Sequence, residues 1–427
     1  MPTSSRHDPY AAWRYRDYRL FAGAWMCMVF GQQIETMAVG WEIVRRIPDA
    51  KEAALAVGFV GLIQALPIML LALPAGHLAD RFNRRTLIAV TVALNVLWMA
   101  GLAWVAWRNL PIEGLYLFLI LSAICQGIGW PARSALVPQT IPPQHLANGV
   151  AWNSSLFATS AAVGSALGGL IITFLGTPAG FLFSAALCAV AAGLIALIHV
   201  RPTVRRNEPL TIRSLFSGLE FVFRAPLILS AISLDMFAVL LGGAVYLLPI
   251  FAEHILHVGP WGFGILRAAP AVGAGLMAII QAHLPPYQRA GRALLWAVAG
   301  FGVVTLVFGV SQWFLLSVIM LFLSGALDSV SVVIRHTLVQ LRTPDHMRGR
   351  VSAVNNVFIS ASNDLGGLES GLTAWLLGPV GAVVLGGFGT LVVVAVIAAR
   401  FPALRRLGPL AEVQPVDEDQ IIAPVTR

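Results

Sequence analysis

The stretch Gly76–Arg85, GHLADRFNRR, decides how the rest of the chain is read. One long apolar run, about Ala53–Leu73, ends just before it, and a second, about Thr86–Trp107, starts directly after it. Between them lie one acid, Asp80, three arginines, Arg81, Arg84 and Arg85, and the histidine His77. So short a connection predicts two neighbouring antiparallel helices, and an arginine-rich turn between membrane helices stays in the cytoplasm. Asp80 is then either an incidental acid in a basic turn or a group with a partner.

Composition points the same way. Of the 427 residues, 58% are hydrophobic and 11% charged, and the mean hydropathy is +0.79. Those values describe a polytopic membrane protein rather than two or three soluble domains. The formal net charge of +8 is carried almost wholly by arginine, with Lys51 the only lysine. The arginines stand between apolar runs, where they set orientation, and no basic, aromatic patch suited to nucleic acid occurs. Cys27, Cys125 and Cys188 each lie inside an apolar run, which gives neither a disulfide frame nor a metal spacing. Residues 1–19 are polar and no small-residue cleavage site follows, so the first span is expected to stay as a signal anchor.

A window of roughly 19 residues predicts twelve spans. In the first half they are about Leu20–Val44, Ala53–Leu73, Thr86–Trp107, Gly114–Val137, Leu146–Leu175 and Ala179–Val200. In the second half they are about Ala225–Phe251, Trp261–Ala282, Ala293–Val310, Trp313–Leu341, Val351–Leu377 and Val380–Arg400. With the amino terminus inside, the arginines fall mainly on cytoplasmic segments, and the external loops carry only the basic residues Arg45, Arg46, Lys51 and Arg108. Both termini are therefore expected in the cytoplasm.

The chain also repeats itself. In one register Arg133 meets Arg335, Pro142 meets Pro344, Asn153 meets Asn355, Gly164 meets Gly366 and Gly169 meets Gly371. Arginine, proline and asparagine matching together predict two six-helix halves from one duplicated unit, 20–200 and 225–402. Residues 1–19 form a cytoplasmic amino-terminal segment, and 201–224 a basic linker. Within the linker Leu210–Arg224 is amphipathic, with Ile212, Leu215, Phe216, Leu219, Val222 and Phe223 on one face, as expected of a helix at the cytoplasmic interface. The tail 403–427, with Asp417, Glu418 and Asp419, reads as without structure.

No hydrolytic or metal constellation is present and no phosphate loop occurs, so neither enzyme activity, nor a cofactor, nor ATP as energy source is expected. What remains is a few ionisable residues inside apolar helices. Each costs about 2.5–3.5 kcal/mol at mid-bilayer, so each is expected to face protein or water. Glu35 lies about 22 Å along its span from the cytoplasmic end at about 1.5 Å per residue, and Asp235 lies nearer the middle of span 7. Spans 1 and 7 are repeat mates, so the two acids could face one cavity as a protonatable pair. The structural alternative is an acid hydrogen-bonded to neighbouring helices. Asp328 in span 10 and Asp364 in span 11 are further acids. Asp328 stands two turns before Arg335 on nearly one face, which fits either a packing ion pair with Arg335 or a coupling role. Arg133 and Arg335 sit near cytoplasmic ends, where an arginine anchors orientation. Gly164, Gly168 and Gly169 have the spacing that lets two helices pack closely.

The loop resembles the signature between helices 2 and 3 of the major facilitator superfamily, G-x-L-a-D-r-x-g-r-(R/K). Gly76, Leu78, Asp80, Arg81, Arg84 and Arg85 fall on that pattern, while Asn83 stands where glycine is usual. The resemblance implies an all-α fold of two pseudo-symmetric six-helix bundles working by alternating access. It also implies that Asp80 interacts with a span-4 arginine, here Arg133, and with the amino end of span 11, as a cytoplasmic gate. The run Gly164–Gly169 resembles the G-P-x-x-G-G motif of antiporters, with Ser165 where proline is usual. The runs from Leu234 and Ser331 resemble the bacterial branch that contains the enterobactin exporter and related efflux carriers. The expected protein is a monomeric, proton-driven exporter of an amphiphilic small molecule in the bacterial inner membrane. An uptake symporter of the same fold and a non-transporting scaffold or receptor are the alternatives.

Overall fold

The computed structural model describes residues 8–199, 212–344 and 347–414; the side chains of Asp80 and Asp364 are among those within these ranges that are not described. Among the described residues every regular element is a helix. In hydrocarbon each backbone N–H and C=O must be satisfied within its own segment, and a helix does that. The long helices are α1 (Arg16–Arg46), α2 (Ala50–Arg81), α3 (Arg84–Trp107), α4 (Ile112–Thr140), α5 (Leu146–Leu175) and α6 (Thr177–Ala196). After the linker come α7 (Ile212–Arg224), α8 (Pro226–Leu241), α9 (Leu248–Ile250), α10 (Gly259–His283), α11 (Ala290–Val310), α12 (Phe314–Arg342), α13 (Arg348–Arg400) and the short α14 (Pro402–Arg405).

Ten helices among the described residues are long and apolar enough to cross a membrane. The twelve expected from the sequence is a larger number, and two features account for the gap. α1, at 31 residues, is long enough but carries Gln32, Gln33 and Glu35, and it is not among the ten. α13, at 53 residues, counts once, yet it leaves helical geometry at Gly378, with φ 82° and ψ 161° and Pro379 directly after. In the repeat register Gly378 falls on Gly176, which separates α5 from α6 with φ 81° and ψ 169° and is followed within two residues by Pro178. Both glycines sit where an L side chain is strained, and both are followed by a proline suited to a helix's first turn. α13 is thus built like α5 and α6 run together.

The motif stretch differs from the expected loop. α2 continues through it to Arg81, so only Phe82 and Asn83 turn the chain before α3 begins. Asn83 caps α3: its side-chain oxygen accepts from the Arg85 N–H at 3.0 Å. Asparagine is a strong cap, which gives the departure from glycine a physical reason.

The chain divides into two compact units, Met1–Glu42 with Ile63–Glu208, and Ile43–Leu62 with Pro209–Arg427. The core of the first gathers Tyr18, Phe21 and Ala22 of α1, Ile88 and Val92 of α3, Leu136 of α4 and Ile195 of α6. Tyr18, fully buried, donates its hydroxyl to the Gly149 carbonyl at 2.8 Å, tying α1 to α5. The segment before α1 is held as well, since Trp152 donates to the Pro9 carbonyl at 2.9 Å and the Ala12 N–H to Asn148 at 3.0 Å. The core of the second unit gathers Leu234 of α8, Leu294 and Val298 of α11, Ile334 and Leu338 of α12 and Ile397 of α13. The span expected as Ala225–Phe251 is broken. α8 stops at Leu241, a 3-10 turn follows at Ala244–Leu247, and Phe251–Ile255 makes a π turn.

Two expectations about connecting segments meet different facts. In α7, Phe221 and Val222 are buried in the second unit against Val339, Val351 and Val354, while Phe223 stays exposed. Past Pro402, where no structure was expected, α14 and a 3-10 turn at Leu410–Glu412 pack on the core through Leu404 and Leu410. The stretch holding Arg201–Asn207 and the end of the tail with Asp417, Glu418 and Asp419 lie outside the described residues.

Candidate functional site

In the second unit α8 and α12 bring Asp235 and Arg335 together. Oδ2 of Asp235 lies 3.0 Å from Nη2 of Arg335, and both side chains are buried. The other terminal nitrogen, Nη1, donates to Oδ1 of Asn355 on α13 at 3.4 Å, so one guanidinium ties three helices. Asp328 lies beside a void of about 10 Å³ that it shares with Asp235, Phe301 and Ser331. The sequence offered Asp328 as the packing partner of Arg335; the ion pair in the structure is with Asp235 instead. The reason is geometric: residues seven apart on one helix are separated by about 10 Å along its axis, whereas Asp235 approaches from the facing helix.

The first unit repeats the theme with a gap in the middle. Glu35 of α1, buried, lines a cavity of about 30 Å³ with Asn95 of α3, Gln126 and Arg133 of α4 and Cys188 of α6. Arg133 does not turn toward the end of its helix. It lies back along α4 and donates from Nη2 to the Gln126 carbonyl at 3.2 Å. Gly129 gives it room, since a Cβ there would stand 3.1 Å from Nη2. Three buried atoms around the cavity have no partner: Oε1 of Glu35, Oδ1 of Asn95 and Nε of Arg133. The space suffices for a water, which needs roughly 10–15 Å³ and a few polar neighbours. Each unit therefore sets an acid of its first span near an arginine of its fourth, in direct contact in one and across a small polar space in the other.

The signature residues are distributed along the α2–α3 junction. Arg84 donates from Nη1 to the Ala135 carbonyl of α4 at 3.2 Å. Arg81 is exposed and Arg85 half-buried. Gly76 has nothing near the place of a Cβ, so close packing is not what that position requires. The side chain of Asp80, and with it the expected contact with Arg133, lies outside the described residues, as does the side chain of Asp364 on α13. Gly164 and Gly168 are close-approach positions: a Cβ at the first would stand 3.1 Å from Gln33 Cβ, and at the second 3.3 Å from Ile34 Cα. Both face α1, and Gly169 is buried on the same helix α5. The Ser165 hydroxyl donates to the Ala161 carbonyl at 2.9 Å, a bond that the usual proline would lack.

Sequence reading missed Asn95, Gln126 and Gly129, since neutral polar residues and one glycine among many carry no signal alone. The available clue was the repeat: the register that lays Arg133 on Arg335 also lays Glu35 two residues from Asp235.

Described residues that are helical in every regular element, ten membrane-length helices among them, two separately cored units and a buried acid–arginine pair have the marks of a membrane carrier. A family model for the Major Facilitator Superfamily matches residues 26–367, and the chain belongs to that superfamily. Among curated proteins it is similar to the enterobactin exporter EntS of Citrobacter koseri, 25% identical over 334 residues, covering 78% of this chain and 80% of the relative. EntS of Escherichia coli O1:K1 / APEC is 24% identical over the same extent. Among solved structures, an inward-facing, occupied bacterial homologue of the human lysosomal transporter Spinster aligns with a TM-score of 0.71 at 15% identity, over 92% of this chain and 99% of that one. A D-xylose–proton symporter aligns with a TM-score of 0.67 at 14% identity, over 90% and 97%. At such identities the structural likeness bears on the fold.

Proposed function

We propose that the protein exports an amphiphilic small molecule, such as a siderophore, drug or metabolite, in exchange for protons by alternating access. The observation that carries this reading is the buried Asp235–Arg335 pair. A carboxylate and a guanidinium taken out of water are costly to keep and are found in membrane spans mainly on solute or proton paths. Protonating Asp235 releases Arg335; deprotonating it restores the pair. Such an exchange of partners gives the second unit two arrangements, which is what coupling to a solute requires. Glu35 near Arg133 offers a second group of the same kind, with Asp328 and Asp364 as further candidates along the path. The similarity to exporters supports the outward direction.

The rest of the reading follows the repeat. Twelve spans form two six-helix halves, 20–200 and 225–402, that rock against each other, and both termini face the cytoplasm of a bacterial inner membrane. The protein works as a monomer without cofactor, as a carrier rather than an enzyme. Gly76, Asp80, Arg81, Arg84 and Arg85, with Arg133, form the cytoplasmic gate, and Gly164, Gly168 and Gly169 pack the helices that move. The test is reconstitution into vesicles with an imposed pH gradient, screened with siderophores and cationic drugs. Accumulation into acid-interior vesicles is expected. Accumulation only into alkaline-interior vesicles supports the uptake symporter, and no gradient-dependent movement of any solute overturns the coupled reading.

A further inference from the structure

The first unit holds a second, larger space. It has a volume of about 290 Å³ and lies among α1, α4 and α5, with Phe21 and Trp25 on α1, Trp130 and Arg133 on α4, and Val150 and Asn153 on α5. That is near the lower end of small-molecule pockets, about 300–1,000 Å³. Its described lining is mainly aromatic and aliphatic, and among the described residues Arg133 is the one ionised side chain in it. The guanidinium carbon of Arg133 stands 6.0 Å from the centre of the Trp130 ring. Trp25 is held in place from behind, stacked on Phe157 at 6.4 Å and donating its indole N–H to the Asn153 carbonyl at 3.4 Å. Trp130 is 62% exposed.

We infer that this cavity binds a planar aromatic anion, with the ring against Trp25 and Trp130 and the anionic group on Arg133. Two indoles supply flat apolar area at small cost in conformational freedom. The guanidinium offers a planar fork that matches a carboxylate or phenolate edge. Among the described lining residues an organic cation meets only a like charge. Arg133 also lines the Glu35 cavity, so a bound anion touches a side chain that the two spaces share. This assignment rests on the transport reading above and narrows the cargo from amphiphile to aromatic acid.

The test is isothermal titration of the full-length protein in zwitterionic lipid nanodiscs with three probes of one shape: 1-naphthoate, neutral 1-naphthylmethanol and cationic 1-naphthylmethylammonium. Naphthoate is expected to bind saturably, about tenfold or more tighter than the other two. Arg133→Gln is expected to bring naphthoate to the level of the neutral probe. Trp130→Ala is expected to weaken naphthoate and the neutral probe alike, and Trp130→Phe to retain most binding, which separates ring loss from misfolding. Equal affinity for the three probes, preference for the cation, or wild-type binding by Trp130→Ala overturns the assignment. If naphthoate binds as stated but no gradient moves any solute across vesicles, the transport reading fails and the site stands. If a cation is transported and naphthoate does not bind, the site alone is wrong.

Discussion

At Arg335 three helices meet through one side chain, so its loss and the loss of its partner are not equivalent events. Asp235→Asn leaves a buried guanidinium without its counter-charge, which costs about 3–5 kcal/mol. The double variant Asp235→Asn with Arg335→Gln removes both charges and is expected to recover most of that stability. Thermal unfolding in detergent checks the order: wild type and double variant close together, the single variant well below. Equal midpoints for the single variant and wild type would mean that the pair contributes nothing to the fold. That these residues matter was legible in the sequence, because an acid or arginine inside an apolar run is conspicuous. Which acid would meet Arg335 was not, since two candidates stood within reach and only the facing of α8 on α12 decides. Arg133 was read as an anchor at a helix end; it lies back along α4 past Gly129, which gives it room, and no pattern in the sequence marks that glycine.

Helices in this chain are separated by small devices more than by loops. Gly176 and Gly378 adopt the same left-handed backbone at matching places in the two halves. Gly378→Val should cost about 1–3 kcal/mol from backbone strain alone, since φ 82° with ψ 161° is a region kept almost entirely by glycine, measured as a lower unfolding midpoint, while Gly349→Ala, at a helical site with open space around it, should not lower it. At the α1–α5 contact, Gly168→Leu forces a branched side chain against Ile34 and is expected to cost about 1–3 kcal/mol by overpacking; no fall in stability would show that the two helices do not rely on close approach. Apolar runs made the helices legible, with their ends shifted by a few residues. The run through Gly76–Arg85 was the least legible: its charges suggested a loop, but the backbone stays helical to Arg81, past Pro67, Pro74 and Gly76. The stop in span 7 likewise escaped notice, although Gly242 and Gly243 adjoin there and paired glycines weaken a helix.

For the molecule as a whole, the duplication proposed from the sequence repeat is the organising idea, since it sets an acid and an arginine in each half and makes the two halves comparable rather than identical. The first half keeps its pair apart around a polar space; the second keeps its pair closed. If both are protonation sites, proton movement should accompany solute movement and should depend on Asp235. The direct measurement is a pH-sensitive dye sealed inside reconstituted vesicles, read as siderophores or aromatic acids are added, for wild type and for Asp235→Asn. A dye signal that follows solute movement in wild type and vanishes in Asp235→Asn is the predicted result. Solute crossing with no change in internal pH, or an Asp235→Asn signal equal to wild type, would contradict it.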